Sequence, residues 1–236
     1  MKITSLDDYS RYDYTPYFRA ETVDEAWEHW YKLLCAQNLT ADSRDGAVVG
    51  EVLNAITVVD DPTRFIVRSP LRKMSMKYAV GELLWYASGQ PTLKSIENFT
   101  KAWGRMSDDG ETVNSNYGEK IQSYYGFNQL EYVEKCLKKD ELSRQAVIHI
   151  KPAKDYIKNP TKDMPCTLTL QFFVRDGKLH LIVNMRSNDI WMGFPYDCFQ
   201  FCSLQNYLAM KLSYKVGTYT HIAGSLHLYE RNKQNG

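Results

Sequence analysis

One segment constrains the fold more than any other: Thr167-Leu168-Thr169-Leu170-Gln171-Phe172-Phe173-Val174, then Arg175-Asp176-Gly177-Lys178, then Leu179 to Met185. An Asp-Gly pair between two runs of apolar, β-branched and aromatic residues is the signal of a two-residue hairpin turn. Residues 167–174 and 179–185 are therefore predicted to pair as antiparallel strands, so the fold must contain a sheet. Helical spacing recurs elsewhere. Ala26, Trp30, Leu33 and Leu34 share one face of a helix over 23–36, with Thr22 or Asp24 as its cap. Residues 73–87, polar and then mostly apolar, 128–139 (Leu130, Val133 and Leu137 on one face) and 197–213 are further helices. Residues 52–59, 64–68 and 144–150 read as strands. Residues 40–51 read as a polar loop holding a lone Arg44, 104–118 as a long loop, and the Tyr- and Asp-rich residues 1–20 as an extended arm. This mixture predicts an α+β fold with a largely antiparallel or mixed sheet.

Composition narrows the function classes. The 236 residues fit a single domain over 1–236, large enough to fold without disulfides or metal. With 29 Lys and Arg against 28 Asp and Glu, the net charge of +1 excludes a broad nucleic-acid face but leaves room for a local anion pocket. The apolar run Leu83 to Ala87 is far short of the ~20 residues that span a bilayer. The first residues carry no apolar stretch after Lys2, so they do not read as a secretory signal. Five cysteines, odd in number and without metal spacing, fit a reduced, cytoplasmic protein with at least one free thiol. Cys198 and Cys202, four apart on an apolar helix face, read as core residues.

Several residues could carry chemistry. Glu82 lies within Ala79-Val80-Gly81-Glu82-Leu83-Leu84-Trp85-Tyr86 and is either on a solvent stripe or a buried acid with a raised pKa. Cys166 follows Met164-Pro165 at the entry to the strongest strand; it is either an exposed thiol, a nucleophile if a nearby Arg favours the thiolate, or a small buried hydrophobe. Arg186-Ser187-Asn188-Asp189 closes the second hairpin strand and is either a grip for an oxyanion or phosphate or a surface turn. His227 and Tyr229, two apart, would face the same side of a strand. No Gly-rich phosphate loop and no zinc-type His/Cys spacing is present in the sequence.

Taken in order, Glu82-Leu83-Leu84-Trp85-Tyr86, Tyr117-Gly118, Ser143-Arg144, Pro165-Cys166, Arg186-Ser187-x-Asp189, Gly193-Phe194-Pro195-Tyr196-Asp197 and His227-x-Tyr229 resemble the thymidylate synthase superfamily, from about Arg44 to Tyr229. Within it, Thr167 after the Cys, Asp197 in place of an Asn that reads uracil, and the runs Val183 to Asp189 and Gly224 to His227 resemble the phage deoxycytidylate hydroxymethylase branch. The resemblance implies a three-layer α+β fold, with a twisted mixed sheet flanked by helices and paired sheet to sheet in a homodimer. It implies a pyrimidine nucleotide 5-hydroxymethyltransferase with 5,10-methylenetetrahydrofolate as one-carbon donor. Cytosine presents an acceptor at N3 and an NH₂ donor at the 4-position; an ionised Asp197 suits the amino group, and a protonated one also donates to N3.

The same resemblance implies the roles of the remaining residues. Cys166 is the nucleophile, Glu82 the acid that organises water and proton transfer, and Arg44, Arg186 and Ser187 the phosphate grip, with Arg144 reaching across from the other subunit. Asn188 joins the substrate set, His227 and Tyr229 hold the sugar hydroxyl, and Tyr117, Asp189 and Gly193 line the base and folate side. Trp85 and Trp103 contact the folate or simply pack. Two departures stand out. Gln145 replaces the second Arg of the family's pair, which predicts weaker phosphate binding or compensation elsewhere. The sequence runs only seven residues past Tyr229, so the folate side is expected to be more open to water. The rival readings are a synthase methylating dUMP and a nucleotide-binding homologue without turnover.

Overall fold

The computed structural model describes residues 16–37, 41–43, 46–153 and 162–233. The hairpin forms as the sequence requires. Asp176 (φ 51°) and Gly177 (φ 67°) both adopt the left-handed conformation of a type I′ turn, whose twist suits the flanking strands. Eight strands make one sheet among these residues: β1 (Tyr17–Ala20), β2 (Ala41–Ser43), β3 (Gly46–Val59), β4 (Val147–His149), β5 (Thr167–Arg175), β6 (Lys178–Met185), β7 (Asn188–Asp189) and β8 (Lys215–Tyr229). The main order is β1-β3-β8-β6-β5-β4; β2 pairs with the start of β3 and β7 with the end of β8. The β1–β3, β6–β8 and β7–β8 pairs are parallel and the others antiparallel, so the sheet is mixed.

Six α-helices accompany it: α1 (Val23–Ala36), α2 (Met76–Ser88), α3 (Leu93–Ile96), α4 (Tyr117–Gln122), α5 (Gln129–Lys139) and α6 (Phe194–Leu212). Thr22 caps α1 by accepting the Glu25 N–H. Trp27, Trp30 and Leu34 of α1 and Cys198, Phe201, Cys202 and Leu208 of α6 share one core with Leu170 and Phe172 of β5, Leu181 and Val183 of β6 and Tyr219 of β8. Trp30 Nε1 donates to Thr57 Oγ1 at 2.8 Å, which satisfies the indole at this core's edge. α2 packs outside α6, so sheet, inner helices and outer helix make three layers. The other sheet face leaves Ile56, Val58, Phe173, Ile182 and Ile222 half-buried. No helix among the described residues is long and apolar enough to cross a membrane.

Three expectations are corrected. Residues 64–68 are extended but belong to no strand. The Arg68 and Ser69 N–H groups bond Asp24 Oδ1 at 2.8 and 3.1 Å, so the segment is pinned to the start of α1 instead of a sheet edge. The polar loop over 40–51 contains β2 and the start of β3. The long loop over 104–118 ends in α4, capped by Asn116, whose Oδ1 accepts the Glu119 N–H. Of the N-terminal arm, Tyr17–Ala20 adds a parallel strand beside β3, while residues 1–15 lie outside the described residues.

Candidate active site

The hairpin register builds the centre of the site. Thr167 pairs with Met185, so Cys166, just before β5, stands beside Arg186, just after β6. The Arg186 N–H donates to the Cys166 carbonyl at 2.9 Å. Its guanidinium donates from Nε to Pro165 O at 3.1 Å and from Nη2 to Met164 O at 2.9 Å, and Nη2 lies 3.5 Å from Cys166 Sγ. A guanidinium so placed stabilises negative charge on the sulfur. Arg186 remains exposed and Ser187 half-buried, so both face an approaching anion.

Glu82 and Asp197 form the acidic wall. Glu82 is 4% exposed, which settles the sequence alternatives for buried acid over solvent stripe. It accepts from Tyr78 at 2.6 Å, Tyr86 at 3.4 Å and Gln200 Nε2 at 3.0 Å. Burial raises it to about 7 despite these donors. Asp197 lies in the first turn of α6 and accepts from Asn188 Nδ2 at 2.6 Å. Burial, and then the neighbouring Glu82, push it up to about 8. Asn188 Oδ1 is buried and has no partner among the described residues. A Cβ at Gly193 would meet Asn188 Nδ2 at 2.8 Å and Asp197 Oδ2 at 3.2 Å, which is why a glycine precedes this helix.

Tyr117 enters from α4. Its hydroxyl accepts from Thr167 N at 3.3 Å, and its ring stacks on Tyr86 (centroids 5.3 Å). Burial, with Asp197 and Cys166 nearby, raises its pKa and keeps it protonated. A Cβ at Gly118 would fall on the carbonyl oxygen of Tyr86, so only glycine lets α4 approach α2 this closely.

His227 and Tyr229 share one face of β8, with ring centroids 5.0 Å apart. Ser225 donates to Glu51 Oε1 at 2.7 Å and lies 3.5 Å from His227 Nδ1. β7 brings Asp189 alongside His227. Asp189 Oδ1 accepts from Trp191 N and Met192 N at 2.8 and 3.3 Å, which shapes the turn into Gly193. Burial raises Asp189, with His227 acting in the opposite direction. Trp85 is buried with Leu93, Ile96 and Val113, and half-buried Trp103 packs against that cluster at 5.4 Å from Trp85.

Of the predicted residues, one lies outside the described residues and another is not brought to this centre. Arg44 lies outside the described residues. Arg144 is exposed before β4; its carbonyl accepts from Gln171 Nε2 at 2.9 Å, so it lies beside β5 about five strand residues, or ~17 Å, from Cys166. Sequence reasoning missed Tyr78, Gln200 and Arg72. The first had a signal, since it lies one helical turn before Glu82. Gln200 meets Glu82 only through packing of α6 on α2. Arg72 is buried, donates to Trp191 O at 2.8 Å and lies 5.4 Å from the ring centres of Trp191 and Tyr196, bracing the turn that carries Gly193.

The sequence model of the family described as thymidylate synthase matches residues 31–235. The deoxyuridylate hydroxymethyltransferase of Bacillus phage SP01 is 37% identical over 170 residues, covering 67% of this chain but only 44% of that protein. The deoxycytidylate 5-hydroxymethyltransferase of Enterobacteria phage T4 is 31% identical over 226 residues, 89% of this chain and 87% of that one. The thermostable thymidylate synthase A of Bacillus subtilis superposes with a TM-score of 0.74 at 23% identity, over 90% of this chain and 84% of that structure. With the family model matching residues 31–235 and the T4 relative matching 89% of this chain at 31% identity, the chain belongs to the thymidylate synthase family.

Proposed function

We propose that the protein is a pyrimidine nucleotide 5-hydroxymethyltransferase acting on a cytidine monophosphate. The observation that carries this reading is the Asp197 carboxyl, buried beside Glu82, held by Asn188 and pushed up to about 8. Near neutral pH it is protonated, so it donates to cytosine N3 and accepts from the 4-amino group; an uracil offers the reverse pattern. A second reading, hydroxymethylation of a uridylate, is favoured by the SP01 relative, whose printed activity is on deoxyuridylate.

The residues divide the work. Arg186 and Ser187 bind the phosphate, and His227 and Tyr229 the sugar. The Cys166 thiolate adds to C6, which breaks the ring conjugation and makes C5 nucleophilic. Asp197 shares its proton with N3 as charge develops there. When bound, 5,10-methylenetetrahydrofolate supplies the one-carbon unit that C5 takes up. Trp85, Trp103, Asp189 and Gly193 would hold it; Trp85 Nε1 is buried with no partner among the described residues, which fits a polar planar ligand. Loss of the C5 proton, with release of tetrahydrofolate carrying the electron pair of its broken bond to the one-carbon unit, leaves an exocyclic methylene on the nucleotide. Water adds there, Glu82 takes its proton, and the sulfur leaves C6.

The protein is further proposed to work as a homodimer joined through the half-buried sheet face, with Arg144 completing the partner's phosphate site. Its place beside Gln171, away from Cys166 within one chain, supports this arrangement.

Product analysis by mass spectrometry tests the reading. CMP, dCMP and dUMP are offered in competition with methylenetetrahydrofolate, to the protein and to Cys166→Ala. A hydroxymethylated cytidine nucleotide absent from the variant is expected. Hydroxymethylated dUMP would overturn the base assignment, methylated dUMP the reaction, and no product the enzyme itself.

A further inference from the structure

The two oxygens of Glu82 are not held alike. Oε1 receives the Tyr78 hydroxyl at 2.6 Å, from one turn before it on α2, and the Tyr86 hydroxyl at 3.4 Å, from one turn after. Oε2 receives one donor, the Gln200 amide of α6 at 3.0 Å. The two phenols follow from i−4 and i+4 spacing on one helix face. Each ring is itself fixed. Tyr78 stands edge-on to Tyr196 at 4.7 Å, and the Tyr196 hydroxyl accepts from the N–H of Ser75, the N-cap of α2. Tyr86 stacks on both Trp85 and Tyr117.

A carboxylate offers about four lone-pair positions. Two phenols occupy Oε1, and the single amide leaves room on Oε2. We infer that Tyr78 is a positioning residue for the hydration step: its hydroxyl clamps Glu82 through Oε1 and leaves Oε2 to take the proton of the attacking water. The inference rests on the hydroxymethyltransferase reading. In that step the water oxygen bonds the exocyclic methylene carbon and its proton passes to Oε2. The exocyclic double-bond pair becomes the C5=C6 bond as the C6–S bond breaks, and Cys166 leaves as thiolate. A carboxylate free to turn would offer either oxygen to the water, and the transfer geometry would be lost.

Tyr78 also acts on the charge of Glu82. The titratable groups around it are Tyr78 and Tyr86 on its own helix and Asp197 on α6, with Tyr117 of α4 behind Tyr86. Donation by Tyr78 favours the ionised form and opposes burial. Removing the hydroxyl therefore moves the titration of Glu82 up, and a stronger donor moves it down.

The test uses the full chain, with Tyr78→Phe and with 3-fluorotyrosine placed at position 78. Loss of one hydrogen bond to a charged group predicts a fall in kcat of about tenfold for Tyr78→Phe, with the nucleotide KM within about twofold. The limb of the kcat–pH profile that reports Glu82 should move up in Tyr78→Phe and down with 3-fluorotyrosine. A profile that stays in place in both variants overturns the inference, as does a parallel loss of kcat, KM and thermal midpoint with no shift. If the unmodified protein forms no hydroxymethylated nucleotide, the functional reading fails instead. The clamp is then still read from the carboxyl-carbon NMR titration of Glu82, assigned with Glu82→Gln; a titration unmoved in Tyr78→Phe overturns it.

Discussion

At the residue scale the site stores an electrostatic cost. Glu82 and Asp197 are buried close enough for Glu82 to raise Asp197, and burial raises both, to about 7 and about 8. A carboxyl whose folded value exceeds its unfolded one binds its proton more tightly in the native state. Between pH ~4 and pH ~8 the native state therefore holds more protons than the unfolded state, and stability falls as pH rises through that window. Asp197→Asn removes one contributor, so its gain in thermal midpoint over the unmodified protein should be larger at pH 8 than at pH 5. Equal gains at both values would show that Asp197 is ionised throughout. The same substitution presents an amide donor and acceptor to the base, so preference should move towards the uracil nucleotide in a competition assay; unchanged preference would remove the base-reading role. Activity on the cytidine nucleotide should also decline above pH ~8, as the Asp197 proton is lost. A buried acid that destabilises the unliganded protein while serving its chemistry is the expected trade between stability and function.

At the element scale, close approach of helices sets the geometry. Gly118 lets α4 lie against the end of α2, and this brings Tyr117 over Tyr86 and its hydroxyl to Thr167 N. Gly118→Ala places a methyl on the Tyr86 carbonyl. It should destabilise the fold by about 1–3 kcal/mol, the usual cost of overpacking, measured by denaturant titration. It should lower kcat as well, since Tyr117 moves with α4; a variant with unchanged stability would mean that α4 yields freely. The elements the sequence predicted best are those with local rules: the Asp-Gly hairpin, and α1 with its Thr22 cap. Residues 64–68 show the limit of such rules. Their pattern suits a strand, but the Asp24 carboxylate at the start of α1 captures the N–H of Arg68, their last residue, and that of Ser69 just after it.

At the scale of the whole molecule the question is how the phosphate site is completed. Arg144 lies beside Gln171 of β5, ~17 Å along the strand from Cys166, while Ile56, Val58, Phe173, Ile182 and Ile222 remain half-buried on the open sheet face. A two-fold pairing through that face would repeat every contact and could place one subunit's Arg144 at the other's site. Mixing Arg144→Ala with Cys166→Ala subunits tests this directly. Each mixed dimer would hold one site with both residues intact, so roughly a quarter of full activity should return on random re-pairing. No recovery, or a monomeric mass by light scattering, would place the phosphate grip within one chain.

The sequence by itself determined the hairpin, the core helices and the order of chemical residues along the chain, because turn chemistry, helical periodicity and motif spacing are local properties. Cys166 stands beside Arg186 because the antiparallel register follows from that same turn. Tertiary structure alone decided that Glu82 is buried instead of exposed, that Gln200 reaches it, and that Asp197 is raised by a carboxyl 115 positions away in sequence. Burial and through-space charge depend on which elements pack together, and no spacing along one helix or strand specifies its distant neighbours.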